Sequence, residues 1–118
     1  MLTFAASMEG FIEVCLTSEL PLGRLTTKLV GERKIALCHT SSGFHALDNT
    51  CPHRGGPLGE GDLIGDELIC PWHLWGFDVK SGNCGTSTTV GVTAHEVRIE
   101  GDRVLVRLAP PRDLPETF

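Results

Sequence analysis

The chain has 118 residues and carries 10 Lys+Arg against 15 Asp+Glu, a formal charge of −5 with His neutral. That length fits one domain, and the acidic balance excludes the cation-driven phosphate contacts on which nucleic-acid binders depend. A composition of 41% hydrophobic and 21% charged residues is that of a globular domain and not of a disordered chain.

Taken in chain order, Met1 to Gly10 has no Lys or Arg ahead of its apolar patch, and Glu9 interrupts it, so it makes a poor secretory signal. Phe11 to Leu16 reads as a strand with Ile12, Val14 and Leu16 on one face. Ser18 to Leu22 allows one short helical turn before Gly23. Residues 24–30 and 33–39 form a hairpin around Gly31-Glu32, with Ile35 and Leu37 pointing together. Ser41-Ser42-Gly43 is a turn, and Phe44 to Leu47 a further strand. Near the other end, Glu96 to Glu100 and Arg103 to Leu108 flank the turn Gly101-Asp102. Val97 and Ile99 face one way, as do Val104, Val106 and Leu108. The tail 109–118 holds Pro110, Pro111 and Pro115 and is extended.

No segment has helical periodicity, and the longest apolar runs, such as Val104-Leu105-Val106, fall far short of a membrane helix. The expectation is a single all-β domain over 1–118, cytoplasmic, without membrane contact. Its end strands form one framework. The Gly-rich middle, about 49–92, holds both Trp and three of the five Cys, and is mounted on that framework.

Five Cys and five His are many for this length, and the odd thiol count fits a metal site plus spare thiols better than a disulfide framework. Two short segments concentrate them: Cys51-Pro52-His53-Arg54-Gly55 and Cys70-Pro71-Trp72-His73. Together they give Cys-x-His, 16 intervening residues, then Cys-x-x-His. Each segment offers one thiolate and one imidazole, good ligands for iron, copper or zinc. Pro52 and Pro71 stiffen the two loops, while Gly55 and Gly56 allow close backbone approach. The residues alone leave two centres open. One is a single zinc in a closed Cys₂His₂ tetrahedron, although zinc fingers pair like ligands and here each loop mixes them. The other is a [2Fe–2S] cluster with two Cys on one iron and two His on the other. The plain alternative is a set of ordinary buried thiols and loop histidines.

The stretch from Cys51 to Cys84, CPHRGGPLGEGDLIGDELICPWHLWGFDVKSGNC, closely resembles the cluster-binding part of Rieske-type [2Fe–2S] proteins, down to the closing Phe77-Asp78. The resemblance covers about residues 11–108. It implies the Rieske iron–sulfur fold, an antiparallel β-sandwich with an inserted small cluster-binding subdomain. It implies one cluster per chain, with Cys51 and Cys70 on the inner iron and His53 and His73 on the outer. His39, His45 and His95 are then bystanders, and Cys15, Cys38 and Cys84 structural thiols. Trp72, Trp75, Leu58 and Leu74 are placed to pack around the loops, although the two Trp are equally well explained as core.

Within the family, the respiratory branch carries an extra Cys beside each ligand pair, and these two form a disulfide. The matching positions here are Gly56 and Trp72, which cannot. That branch also sets a Ser and a Tyr near the cluster sulfurs, where this chain has Trp75 and Phe77 and no Tyr at all. The chain resembles instead the soluble branch. It is read as a Rieske ferredoxin, an electron-transfer component and not a catalyst alone, between a flavin- or NAD(P)H-dependent reductase and an oxygenase or other oxidoreductase. A nitrite reductase small subunit is the alternative, and a structural zinc module the remote one. Arg54 and the acidic residues Glu60, Asp62, Asp66 and Glu67 are candidates for partner contacts. Two departures from the family pattern stand out: Leu74 replaces the Gly that commonly follows the second His, and Gly85-Thr86-Ser87-Thr88 replaces a Pro-containing covering loop. Hydrogen bonds to cluster sulfurs raise the potential. A chain that lacks those hydroxyls should therefore titrate toward the negative end of the family range of about −150 to +300 mV. A redox titration monitored by circular dichroism checks this, and a midpoint well above zero overturns it.

Overall fold

The computed structural model describes residues 10–52, 55–72, 74–85 and 90–111. These form β1 (Phe11–Leu16), β2 (Leu25–Val30), β3 (Arg33–Thr40), β4 (Gly43–Asp48), β5 (Asp62–Ile64), β6 (Glu67–Ile69), β7 (Gly76–Asp78), β8 (Ala94–Glu100) and β9 (Arg103–Arg107). Six make one sheet in the order β1-β9-β8-β4-β3-β2, and β5-β6-β7 make a second, smaller one. All pairings between these strands are antiparallel. The fold is therefore the all-β framework with an inserted unit that the sequence implied. The hairpin turns sit where the glycines allow them, at Gly31 and Gly101. The short helical turn expected over 18–22 forms as a 3₁₀ turn and spans Thr17–Glu19. The Leu16 N–H closes it by donating to Glu19 Oε1 at 2.7 Å.

One strand departs from its expected face. In β1 the register slips between Glu13 and Cys15, so that Ile12 lies opposite Val106 and Cys15 opposite Val104. The bulge adds one residue and resets the alternation. Cys15 is thereby buried, Leu16 is turned outward opposite Arg103, and Ile12 remains 47% exposed. The expected Ile12/Val14/Leu16 stripe does not form.

β3 separates two cores. Ile35 and Leu37 enter one, with Val30, Val104 and Val106. Ala36 and Cys38 enter the other, with Leu58, Leu68, Phe77, Cys51 and Cys70. All four of these β3 residues are fully buried. β4 divides its side chains in the same way, Ala46 to the first core and Leu47 to the second. The framework and the inserted unit thus share a wall two strands wide.

A polar network ties the end of that wall to the chain's last described segment. His95 Nε2 lies 2.8 Å from Asp48 Oδ1, and Arg33 donates to the same oxygen at 2.9 Å. Arg33 also donates to the Ala109 carbonyl at 2.6 Å, and the Ala109 N–H donates to His95 Nδ1 at 2.9 Å. Because Nδ1 accepts, the ring proton sits on Nε2 and points at Asp48. The tail is thus pinned at its root, and residues 112–118 lie outside the described residues. Burial works against the Asp48 charge, but the hydrogen bonds from His95 and Arg33 outweigh it and hold the carboxyl below its ordinary value. A depressed carboxylate stabilises the fold above about pH 4, and that contribution is lost as the pH falls through the lowered value. Asp48→Asn is expected to cost ~1–3 kcal/mol at pH 7, since two donors lose their charged acceptor. The gap from wild type should narrow below about pH 4. Urea unfolding followed by circular dichroism at both pH values tests this, and a gap independent of pH would refute it.

Candidate metal centre

The two candidate ligand segments are built as matching hairpin tips. In the first, Leu58 N–H donates to the Asn49 carbonyl at 2.7 Å, Thr50 bridges Pro57, and Cys51 N–H donates to the Gly56 carbonyl at 2.9 Å. The second tip continues the β6–β7 ladder beyond the pair Ile69 and Gly76, with Cys70 N–H donating to the Trp75 carbonyl at 2.8 Å. In both, the residue four beyond the Cys returns a bond to its carbonyl: Gly55 N–H to Cys51 at 2.7 Å, Leu74 N–H to Cys70 at 3.0 Å. Each tip is closed by that residue in a left-handed backbone, Gly55 at φ 76° and Leu74 at φ 61°. Cys51 and Cys70 therefore occupy the same position in two equal loops.

The bases of the tips are well anchored. Asn49 is buried, and its Oδ1 accepts from Gly59 N–H at 2.7 Å, fixing the return of the first tip to β4. Beneath both tips lies the second core, in which Cys51 is 1% and Cys70 0% exposed and neither is disulfide-bonded. Leu58 and Phe77 fill that core, and Trp75 packs on it half-buried. Trp72 and Leu74 do not join it: they are 61% and 72% exposed. Of the four residues expected around the loops, two are packing and two are surface. Gly56 lies against Cys70. A Cβ there would stand 2.7 Å from Cys70 Sγ and 3.2 Å from the Trp72 ring, so only glycine leaves the thiol its place. Positions 56 and 72, for which the sequence ruled out a disulfide, are in contact.

Two buried, unbridged thiols at equivalent places in two loops make a soft donor pair suited to iron or zinc. His53 and His73, the other two predicted ligands, lie outside the described residues, as do Arg54 and the Thr86–Thr89 run of the substituted covering loop. Cys84, beyond β7, bridges Phe77. Burial pushes the Cys38 thiol up to about 12 and raises those of Cys15 and Cys84, which keeps the spare thiols protonated and inert.

The bystander histidines have structural partners. His39 Nδ1 lies 2.8 Å from the Leu20 carbonyl, and its ring stacks on Phe44. His45 Nε2 and Asp66 Oδ1 each lie 2.8 Å from Ser42 Oγ. Carboxylate and imidazole both meet the hydroxyl, which is not the Ser–His–carboxylate order of a nucleophilic triad. The cluster instead clasps the β3–β4 turn to the β5–β6 turn. Asp66 is thereby withdrawn from the expected acidic face, where Glu60, Asp62 and Glu67 remain exposed. The Asp48–His95 pair escaped the sequence reading because 47 positions separate its members and no motif links them.

Residues 10–105 match the Rieske [2Fe-2S] domain family. The ferredoxin component of the alkene monooxygenase system of Xanthobacter autotrophicus is 35% identical over 101 residues, 85% of this chain and 83% of that protein. The ferredoxin solved in complex with the oxygenase of carbazole 1,9a-dioxygenase is 31% identical with a TM-score of 0.75, covering 84% of this chain and 94% of its own. A putative nitrite reductase NADPH small subunit has a TM-score of 0.71 at 22% identity, covering 84% and 98%.

Leu74 closes its tip in a conformation that disfavours side chains with a Cβ. Leu74→Gly should be no less stable than wild type. Leu74→Val should lose ~1–2 kcal/mol, because a β-branched residue tolerates this region worst. Thermal unfolding of the three proteins checks the order, and a clearly less stable Gly variant would contradict it.

Proposed function

The chain belongs to the Rieske [2Fe-2S] domain family, and we propose that within it the chain is a one-electron carrier, taking electrons from a flavin- or NAD(P)H-dependent reductase and delivering them to an oxygenase or similar oxidoreductase. The observation that carries the reading is the pair of equal hairpin tips, each with a buried, unbridged thiol at its base. Cys51 and Cys70 would hold the inner iron, and His53 and His73 the outer. When bound, the cluster supplies a reversible one-electron couple.

The chain's own contribution is to place and insulate the ligands. The apolar core beneath the tips keeps water from the thiolates, while Gly55, Pro71, Trp72 and Leu74 above it are exposed. Exposed Asp62 and Glu67 on the small sheet, with Glu60 in the 3₁₀ turn just before it, offer an acidic approach for a basic partner, a means of steering weak electron-transfer encounters. The two relatives that are ferredoxin components of oxygenase systems support an oxygenase as acceptor. The likeness to the nitrite reductase small subunit is one of fold alone. We read 1–118 as a single domain, with about 49–92 the cluster-binding part. No described helix is long and apolar enough to cross a membrane. All five thiols are unbridged, in keeping with a reducing compartment such as the cytoplasm.

The purified chain should be coloured and contain iron and acid-labile sulfide in equal amounts, and Cys70→Ser or His73→Ala should abolish its visible spectrum. Stopped-flow reduction of a dioxygenase by the reduced chain should slow as ionic strength rises. A colourless, zinc-loaded chain from iron-replete anaerobic cells overturns the carrier, and a rate indifferent to salt overturns the acidic approach.

A further inference from the structure

A centre shared between two hairpin tips needs their separation fixed. The first tip hangs from β4 and the second from β6 and β7, so the strands beneath do not by themselves set the gap at the top. Among the described residues, a contact at Gly56 spans it. Gly56, at the base of the first tip, lies under the indole of Trp72 from the second, close enough that a Cβ would meet the ring Cγ and Cδ2 at 3.2 Å. The same Cβ would meet Cys70 Sγ at 2.7 Å. Backbone, indole and thiol are thus stacked in one place.

Trp72 is otherwise poorly employed. It is 61% exposed and belongs to neither core, and a large aromatic left in solvent forgoes most of the stabilisation its burial would provide. Its ring Cγ and Cδ2 lie against Gly56. We propose that Trp72 is a positioning residue of the metal centre: its indole, seated on Gly56, clamps the second tip to the first and so fixes Cys70 relative to Cys51. This rests on the reading that the two tips together hold a [2Fe–2S] cluster. Residues that orient metal ligands without binding the metal are commonly worth 10–100-fold in affinity. The exposed setting of Trp72 means that its loss should spare the fold.

The test uses the holoprotein as wild type, Trp72→Ala, Trp72→Phe and Gly56→Ala. Bleaching of the visible spectrum by excess iron chelator should be about 10-fold faster in Trp72→Ala. Its reduced-state electron paramagnetic resonance lines should be broader, while far-ultraviolet circular dichroism is unchanged. Trp72→Phe, which keeps a flat ring over Gly56, should restore most of the cluster lifetime. Gly56→Ala should lose the cluster at least as fast as Trp72→Ala, since its methyl displaces Cys70 Sγ. A Trp72→Ala protein with wild-type lifetime and line width overturns the inference alone, even if its transfer to an acceptor is slowed, because that pattern belongs to a docking residue. A wild-type chain without iron and sulfide overturns the cluster reading and this inference with it.

Discussion

Everything at the metal centre depends on a wall buried on both sides. A strand in a two-layer protein ordinarily turns one face to a core and the other to solvent. β3 does not: Ile35 and Leu37 pack with the large sheet, and Ala36 and Cys38 pack under the ligand loops, all at zero exposure. Truncating a residue in such a wall costs a transfer and a cavity contribution, ~2–5 kcal/mol for a buried Leu, and the loss is felt in two compartments that share the same backbone. The thiols of Cys51 and Cys70 belong to one of those compartments. They inherit rigidity from a sheet whose other face is occupied elsewhere.

Above the wall, rigidity is passed upward by backbone pairing and not by bulk. Neither tip has room for a core of its own. Each is held by a ladder that ends at its cysteine, Asn49 to Leu58 and Thr50 to Pro57 for the first, Ile69 to Gly76 for the second. The ladders make the cysteines equivalent but not the tips identical in sequence. The Cys-x-His and Cys-x-x-His spacings place the two histidines one step apart within otherwise equal loops. The second loop also closes on Leu74 where the first closes on Gly55. A strained non-glycine backbone persists only where its surroundings hold it, and here the bond from Leu74 N–H to the Cys70 carbonyl does so. The same bond that tolerates the strain also defines the base of the ligand loop.

The sequence displayed the candidate ligands and the outer strands because both are local signals: two short motifs, and period-two runs bounded by Gly turns. It concealed what depends on distant partners. The four-residue apolar run Ile35-Ala36-Leu37-Cys38 did carry the mark of double-sided burial, yet alternation alone picks out only Ile35 and Leu37. The bulge in β1 leaves no trace in composition, and it moves Cys15 to the core in place of Leu16. β5, β6 and β7 are three residues each, too short for any period to declare itself. Leu74 was visible as a substitution, while its backbone conformation was not. The acidic loop divided on folding: Asp66 is engaged by Ser42, with Lys80 at 3.8 Å, and only its neighbours stay free to meet a partner.

The electrostatics of the centre can be ordered by distance. The net charge of −5 opposes the addition of an electron, but charges on the far surface act through solvent, where salt screens them within about 10 Å at 0.1 M. Groups inside the second core are not screened in that way. Phe77, fully buried in the same core as Cys70, presents no hydroxyl, and the chain has no Tyr to supply one. A buried Phe at this position offers the centre an apolar ring and no O–H, and a donor in such low-dielectric surroundings acts more strongly than it would in water. The exposed carboxylates are left to act where screening permits, on the approach of a partner.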